Sequence, residues 1–168
     1  MKVIYFTFDS LMFSHRFRSD NPQLSSGTSE TRMMTADERF ANAPYDIESA
    51  KRLENVAKEL GMLIYPLGTR VKRKDLVKHK IFDTAVLAPD IDWRGRLRMD
   101  DSNELRMLHA HRNDVEATSW LLIGDIHPED VGDAFKEHFV QGCFLSGFDE
   151  KLAEAIRVRF HKLYHTDH

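Results

Sequence analysis

One cysteine, Cys143, in 168 residues excludes an intrachain disulfide framework and any zinc site built from several cysteines. A reducing compartment is therefore expected, cytoplasmic in the simplest case. There is no excess of charge of one sign: 24 Lys and Arg stand against 27 Asp and Glu, a formal net charge of -3. No global field draws in nucleic acid or an anionic membrane, so a basic binding surface has to be local. Long hydrophobic runs are missing too. The apolar opening, Val3 to Phe8, is far too short to span a membrane, and Asp9 interrupts it before it could form the core of a secretory signal. No targeting segment and no internal repeat is visible. The only compositionally biased stretch is the Ser-rich one around Ser25, Ser26 and Ser29.

With 42% hydrophobic residues, the chain is long enough for one sizeable core, and a single domain over 1–168 is expected. Val3, Ile4, Tyr5, Phe6 and Phe8 form a near-continuous apolar run, the pattern of a parallel strand covered on both faces and central in its sheet. Residues 14–45 lack a sustained period and read as a loop or small cap insertion over the strand ends. Asp46 then offers an N-cap, and Ile47, Ala50, Leu53, Val56, Ala57 and Leu60 recur at helical steps until Gly61. Met62 to Tyr65 reads as a second strand ended by Pro66 and Gly68, Lys74 to Phe82 as a brief helix, and Thr84 to Ala88 as a third strand closed by Pro89. A helix follows from Ser102 and Glu104 to Arg112, then a fourth strand, Trp120 to Ile123. A short helix carrying Val131, Ala134, Phe135 and Phe139, a fifth strand from Val140 to Phe144, and a last helix from Leu152 to Leu163 complete the alternation. This pattern predicts an α/β fold in three layers, with a parallel five-stranded sheet and helices on both faces.

In an open parallel sheet, ligands bind beyond the carboxyl ends of the strands. Thr7 and Asp9, Pro66 to Arg70, Ala88 to Asp90, and Gly124 to His127 occupy those ends. Asp9 and Asp125 each follow an apolar run. Two carboxylates at a solvated sheet edge can gather a metal ion; they can equally cap a turn and the helix near Pro128.

Taken together, Phe6-Thr7-Phe8-Asp9-Ser10, Leu63-Ile64-Tyr65-Pro66-Leu67-Gly68-Thr69-Arg70 and Trp120-Leu121-Leu122-Ile123-Gly124-Asp125, with the insertion and the Asp46 to Gly61 helix between them, resemble a known family. It is that of the small haloacid-dehalogenase-like (HAD) phosphatase domains grouped with RNA repair proteins, and the similarity runs from Lys2 to about Phe160. The resemblance implies a Rossmann-like HAD fold and magnesium-dependent chemistry, in which a first Asp attacks phosphorus and a second protonates the leaving group. Carried over position by position, Asp9 is the general acid and a metal ligand, Asp125 a magnesium ligand, and Thr69 and Arg70 phosphate binders. The departures are as informative. Thr7 stands at the nucleophile position, Ser10 at that of the Gly after the second Asp, and Gly124 at that of the first member of the acidic pair, while Pro66, Leu67 and Gly68 replace serines. A threonine hydroxyl is neutral and needs a base. Losing a covalent nucleophile removes roughly four to six decades of rate. The resemblance therefore implies a domain that has lost aspartyl-phosphate catalysis and acts by binding or regulation, with an unknown protein or a phosphorylated ligand as partner. The alternative is a magnesium-dependent phosphohydrolase with residual activity on a phosphorylated small molecule or nucleic-acid end.

Other patterns compete with their bland readings. Asp9, Asp125 and His127 could form a small cation site, or His127 simply precedes a helix start at Pro128. His161 and His165 are four apart on the last helix, a spacing that suits either a shared metal or two surface residues; His109 and His111, two apart, fall on different helix faces. Arg70, Lys72, Arg73, Lys74, Lys78 and Lys80 form one basic cluster, and Arg94, Arg96 and Arg98 another that could meet a phosphate backbone. Asp90, Asp92, Asp100 and Asp101 cancel the field of the second cluster, so a nucleic-acid role is not favoured. His15-Arg16-Phe17-Arg18 could stack on a base, and Met33 and Met34 could close over the strand ends or face a partner.

Overall fold

The computed structural model describes residues 1–21, 35–42, 45–68, 70–96, 104–142 and 145–165. Among them, β1 (Lys2–Thr7), β2 (Leu63–Leu67), β3 (Ser119–Gly124) and β4 (Phe139–Gln141) form one parallel sheet in the order β2-β1-β3-β4. The helices are α1 (Phe8–Met12), α2 (His15–Asp20), α3 (Ala36–Asn42), α4 (Ile47–Glu59), α5 (Arg73–Lys78), α6 (Glu104–Asp114), α7 (Pro128–Val131) and α8 (Glu150–Tyr164).

β1 lies inside the sheet, as its composition predicts, with Tyr5 aligned to Tyr65 on one side and Leu122 on the other. Its apolar run has no polar break because both faces are covered. Ile4 and Phe6 join a core with Leu53 and Val56 of α4 and Ile156 and Phe160 of α8. Val3 and Tyr5 join a second core with Met107 and Leu108 of α6, Trp120 and Leu122. α4 forms where the helical steps put it. The Asp46 carboxylate accepts from the Ser49 N–H at 3.1 Å and the Ser49 hydroxyl at 2.7 Å, and Gly61 leaves the helix at φ +63°.

Among the described residues the sheet has four strands, not five. Thr84 to Val86 is a turn of 3-10 helix, and Leu87 alone bridges to Ile64. Three local features stop a ladder there. The Asp83 side chain accepts from the Ala85 N–H at 3.0 Å and starts the turn, a local bond that competes with strand pairing. Ile64 accepts from the Ala88 N–H at 2.9 Å, so Ile64 faces this outer edge. Pro66, two residues on, faces the same way and has no N–H to give. Finally, the Arg73 Nε–H takes the Ala88 carbonyl at 2.5 Å. Pro66 itself does not end β2, which continues through it to Leu67 because its missing donor points away from β1.

The described parts of residues 14–45, the expected loop or small cap insertion, hold α2 and α3. Ser14 caps α2, its hydroxyl accepting from the Phe17 N–H at 3.2 Å. Thr35 and Glu38 cap α3 reciprocally, at 3.1 and 3.2 Å. α3 is fastened to the body by Asp37, which meets Lys78 at 2.6 Å and His79 at 2.7 Å, and by Phe40 packed edge-on to Phe8 and Tyr45. The helix expected to carry Val131 through Phe139 is also broken. α7 ends at Val131, Gly132 takes φ +75°, and Lys136–His138 makes a single 3-10 turn before β4. Cys143 and Phe144, the end of the expected fifth strand, fall outside the described residues. Among the described residues, no helix is long and apolar enough to cross a membrane.

Candidate functional site

β1 and β2 run parallel and end level, Thr7 aligned with Leu67. Beyond that edge lies a cleft of about 310 Å³, lined by Thr7, Phe8, Asp9, Leu67, Gly68, Arg70, Val71 and Glu104. Three of the residues singled out from sequence therefore share one cavity: Thr7, Asp9 and Arg70. Thr69 lies outside the described residues. Asp125 follows β3, is exposed, and is not in the lining of this cleft.

Thr7 is the last residue of β1 and Asp9 sits in the first turn of α1. The Thr7 Oγ1 lies 2.6 Å from the Ser10 Oγ, and the Ser10 hydroxyl points at the Thr7 carbonyl at 3.3 Å. Ser10 has one proton to give. When it goes to the carbonyl, the Thr7 O–H donates to Ser10, a neutral acceptor that cannot take the proton away. On the other side of Thr7 is Gly124. A Cβ built there would sit 2.6 Å from the Thr7 Oγ1 and 3.0 Å from its Cγ2. The Thr7 side chain thus occupies the space that any side chain at 124 would need. Serine at 10 and glycine at 124 both fit a threonine at 7.

On the opposite wall, Gly68 takes φ +105° as the chain leaves β2, a region that glycine enters freely. It turns the backbone so that Arg70 and Val71 line the cavity. Glu104, in the first turn of α6, completes the lining. Among the described residues, neither Arg70 nor Glu104 is held in an ion pair. Glu104 escapes the sequence reading because its position behind Ser102 looks like helix capping. Nothing local says that α6 starts at the mouth of a cavity.

A buried polar network underlies this edge. His111 of α6 is fully buried and stacks on Tyr65 with ring centroids 3.8 Å apart. Its Nε2 lies 2.8 Å from the Pro89 carbonyl, which can only accept, so the proton is on Nε2, and Nδ1 accepts from the Tyr5 hydroxyl at 2.9 Å. Burial lowers the His111 pKa below the usual imidazole value, against the raising effect of the Pro89 bond. Burial likewise raises Tyr5 and Tyr65 above the phenol range. The Tyr65 hydroxyl and the Trp93 indole both donate to the Asp90 Oδ1, at 2.7 and 3.0 Å. Burial works against the Asp90 charge, but these bonds hold its pKa below the usual carboxylate value. The network ties α6, and Glu104 with it, to β1 and β2. A readable signal existed for His111: it lies three residues after Leu108 and four after Met107, on the apolar stripe of the helix.

The remaining candidates do not enter the cleft. His127 is the N-cap of α7, its Nδ1 accepting from the Glu129 N–H at 3.4 Å. The cap expected of Asp125 is thus made by His127. His161 and His165 are exposed with rings 5.3 Å apart. Arg94 is forked onto Asp92 and Arg96 is paired with Asp114, while Arg98 lies outside the described residues. Phe17 of α2 packs against Phe13 and the adjoining core. Met33 and Met34 fall outside the described residues.

Magnesium prefers octahedral oxygen ligands, usually one or two carboxylates together with waters and substrate phosphates. The nucleophile position here offers a neutral hydroxyl already engaged with Ser10, position 124 offers no side chain, and Asp125 lies outside the lining. The metal set that the HAD resemblance implies does not fit these residues. Among the described residues, no group of three or more His, Cys, Asp or Glu side chains could hold a metal ion. No family model matches the chain, and neither a curated protein nor a solved structure is significantly similar to it.

Proposed function

We propose that the chain is an HAD-like domain that has lost aspartyl-phosphate catalysis and acts by binding a phosphorylated ligand at the β1–β2 edge, in a regulatory role. The wiring supports this reading: a central β1 carries an acidic residue just past its carboxyl end, β2 with its Gly68 and Arg70 turn lies on one side, and β3 lies on the other. The observation that carries it is the Thr7 hydroxyl, bonded to the Ser10 hydroxyl at 2.6 Å and backed by Gly124. A nucleophile needs a base within hydrogen-bond reach; this one has a second alcohol. Arg70 remains as a guanidinium suited to phosphate oxygens. A reducing, cytoplasmic setting suits a chain with one cysteine.

Hydrolysis of p-nitrophenyl phosphate with magnesium tests the loss of catalysis. The wild-type protein is expected to show no turnover above the buffer rate, and Asp9→Asn to change nothing. A rate like that of active phosphatases, abolished by Asp9→Asn, overturns the proposal.

A further inference from the structure

The charges in the cleft do not suit a bare phosphate. A phosphomonoester is largely dianionic at neutral pH, and among the described residues the lining offers it one guanidinium, Arg70, against two carboxylates, Asp9 and Glu104. Even with Asp9 engaged elsewhere, Glu104 alone offsets Arg70, so the described lining carries no net positive charge to hold a dianion. Among the described residues, no third His, Cys, Asp or Glu joins these two carboxylates to hold a resident metal. A cation carried by the ligand itself would supply the compensating charge. Glu104 is well placed to receive it: it projects from the first turn of α6, in no ion pair among the described residues, and α6 is anchored by the buried His111. The volume of about 310 Å³ is at the small end of ligand sites, about 300 Å³ upward. It has room for a phosphate and a short amine tail.

We infer that the cleft takes a small zwitterionic phosphomonoester, its phosphate on Arg70 and its alkylammonium group on Glu104, with Glu104 the specificity-determining residue. This rests on the reading of the site as a phosphate-binding one. Calorimetric titration with O-phosphoethanolamine and with ethyl phosphate, its analogue lacking the amine, tests it on the full chain, with and without magnesium. Without metal, the wild type is expected to prefer phosphoethanolamine by about tenfold, the worth of one charge-assisted contact. In Glu104→Gln the preference should fall to within about twofold, as phosphoethanolamine binds more weakly and ethyl phosphate more tightly. Equal affinity of the wild type for the two, or a preference untouched by Glu104→Gln, overturns the inference and leaves the phosphate reading standing. So does ethyl phosphate reaching the affinity of phosphoethanolamine once magnesium is added, for then the metal is the missing cation. If neither compound binds, or if Arg70→Gln leaves their affinities unchanged, the phosphate reading fails and the inference fails with it.

Discussion

At position 124 there is no room for a side chain. Alanine would bring its Cβ to 2.6 Å from the Thr7 Oγ1, below any ordinary contact. Thr7 is boxed between that glycine and Ser10 and has nowhere to swing without losing its hydroxyl bond. Gly124→Ala is therefore expected to destabilise the fold by about 1 to 3 kcal/mol, the usual cost of overpacking. Thr7→Ala removes both atoms in the clash, so Gly124→Ala added to Thr7→Ala should cost markedly less than in the wild-type background. Urea unfolding of the four proteins measures the coupling; additive effects would show that residues 7 and 124 do not share one space. The same contact leaves no space for a carboxylate side chain at 124 while Thr7 is in place. Residues 7, 10 and 124 form one arrangement.

Elements whose logic is carried by their own residues were readable in the sequence, and those decided by a neighbour were not. α4 has its cap, its apolar steps and its terminal glycine within one stretch, and it forms where those signals lie. β1 is apolar on both faces and is central. Thr84 to Ala88 is apolar enough for a strand, yet Pro66 on β2 and the Arg73 side chain close the edge it would have joined. Asp9 and Arg70 were legible because a strand end announces them; Glu104 was not, because only packing shows that α6 begins at the cleft. His111 follows the same rule, and its burial has a consequence at the level of α6. Its folded-state pKa is lowered, so between that value and the unfolded value of about 6.5 the unfolded chain binds the extra proton. The stability gained by keeping His111 neutral is present above about pH 6.5 and is lost as pH falls below it. The urea midpoint should decline from pH 7 to pH 5 more steeply in the wild type than in His111→Gln, which keeps a donor and an acceptor but no titrating ring. Parallel pH profiles for the two proteins would remove His111 from the acid response.

Across the whole molecule, two cores share a single sheet. Leu121 and Leu122 are neighbours on β3, both fully buried, and they belong to opposite cores: Leu121 packs with Ile4, Leu53 and Phe160, Leu122 with Tyr5, Trp120 and Leu108. A strand cannot lose its packing on one face and keep its register on the other, because the same backbone bonds to β1 serve both. The two cores should therefore melt as one unit. Either Leu121→Ala or Leu122→Ala is expected to cost about 2 to 5 kcal/mol, the range for a buried leucine that leaves a cavity. The chain has two tryptophans; Trp120 lies in the Leu122 core and Trp93 packs against it. Tryptophan fluorescence therefore reports on that core alone, while far-ultraviolet circular dichroism reports on all the helices. In Leu121→Ala, which cuts the core without tryptophan, the two signals should still fall at the same urea concentration. If fluorescence holds its wild-type midpoint while ellipticity falls early, the cores unfold separately and the sheet does not couple them. Coincident midpoints would mean that the floor of the cleft, built from the ends of β1 and β2, stays rigid until the whole fold gives way.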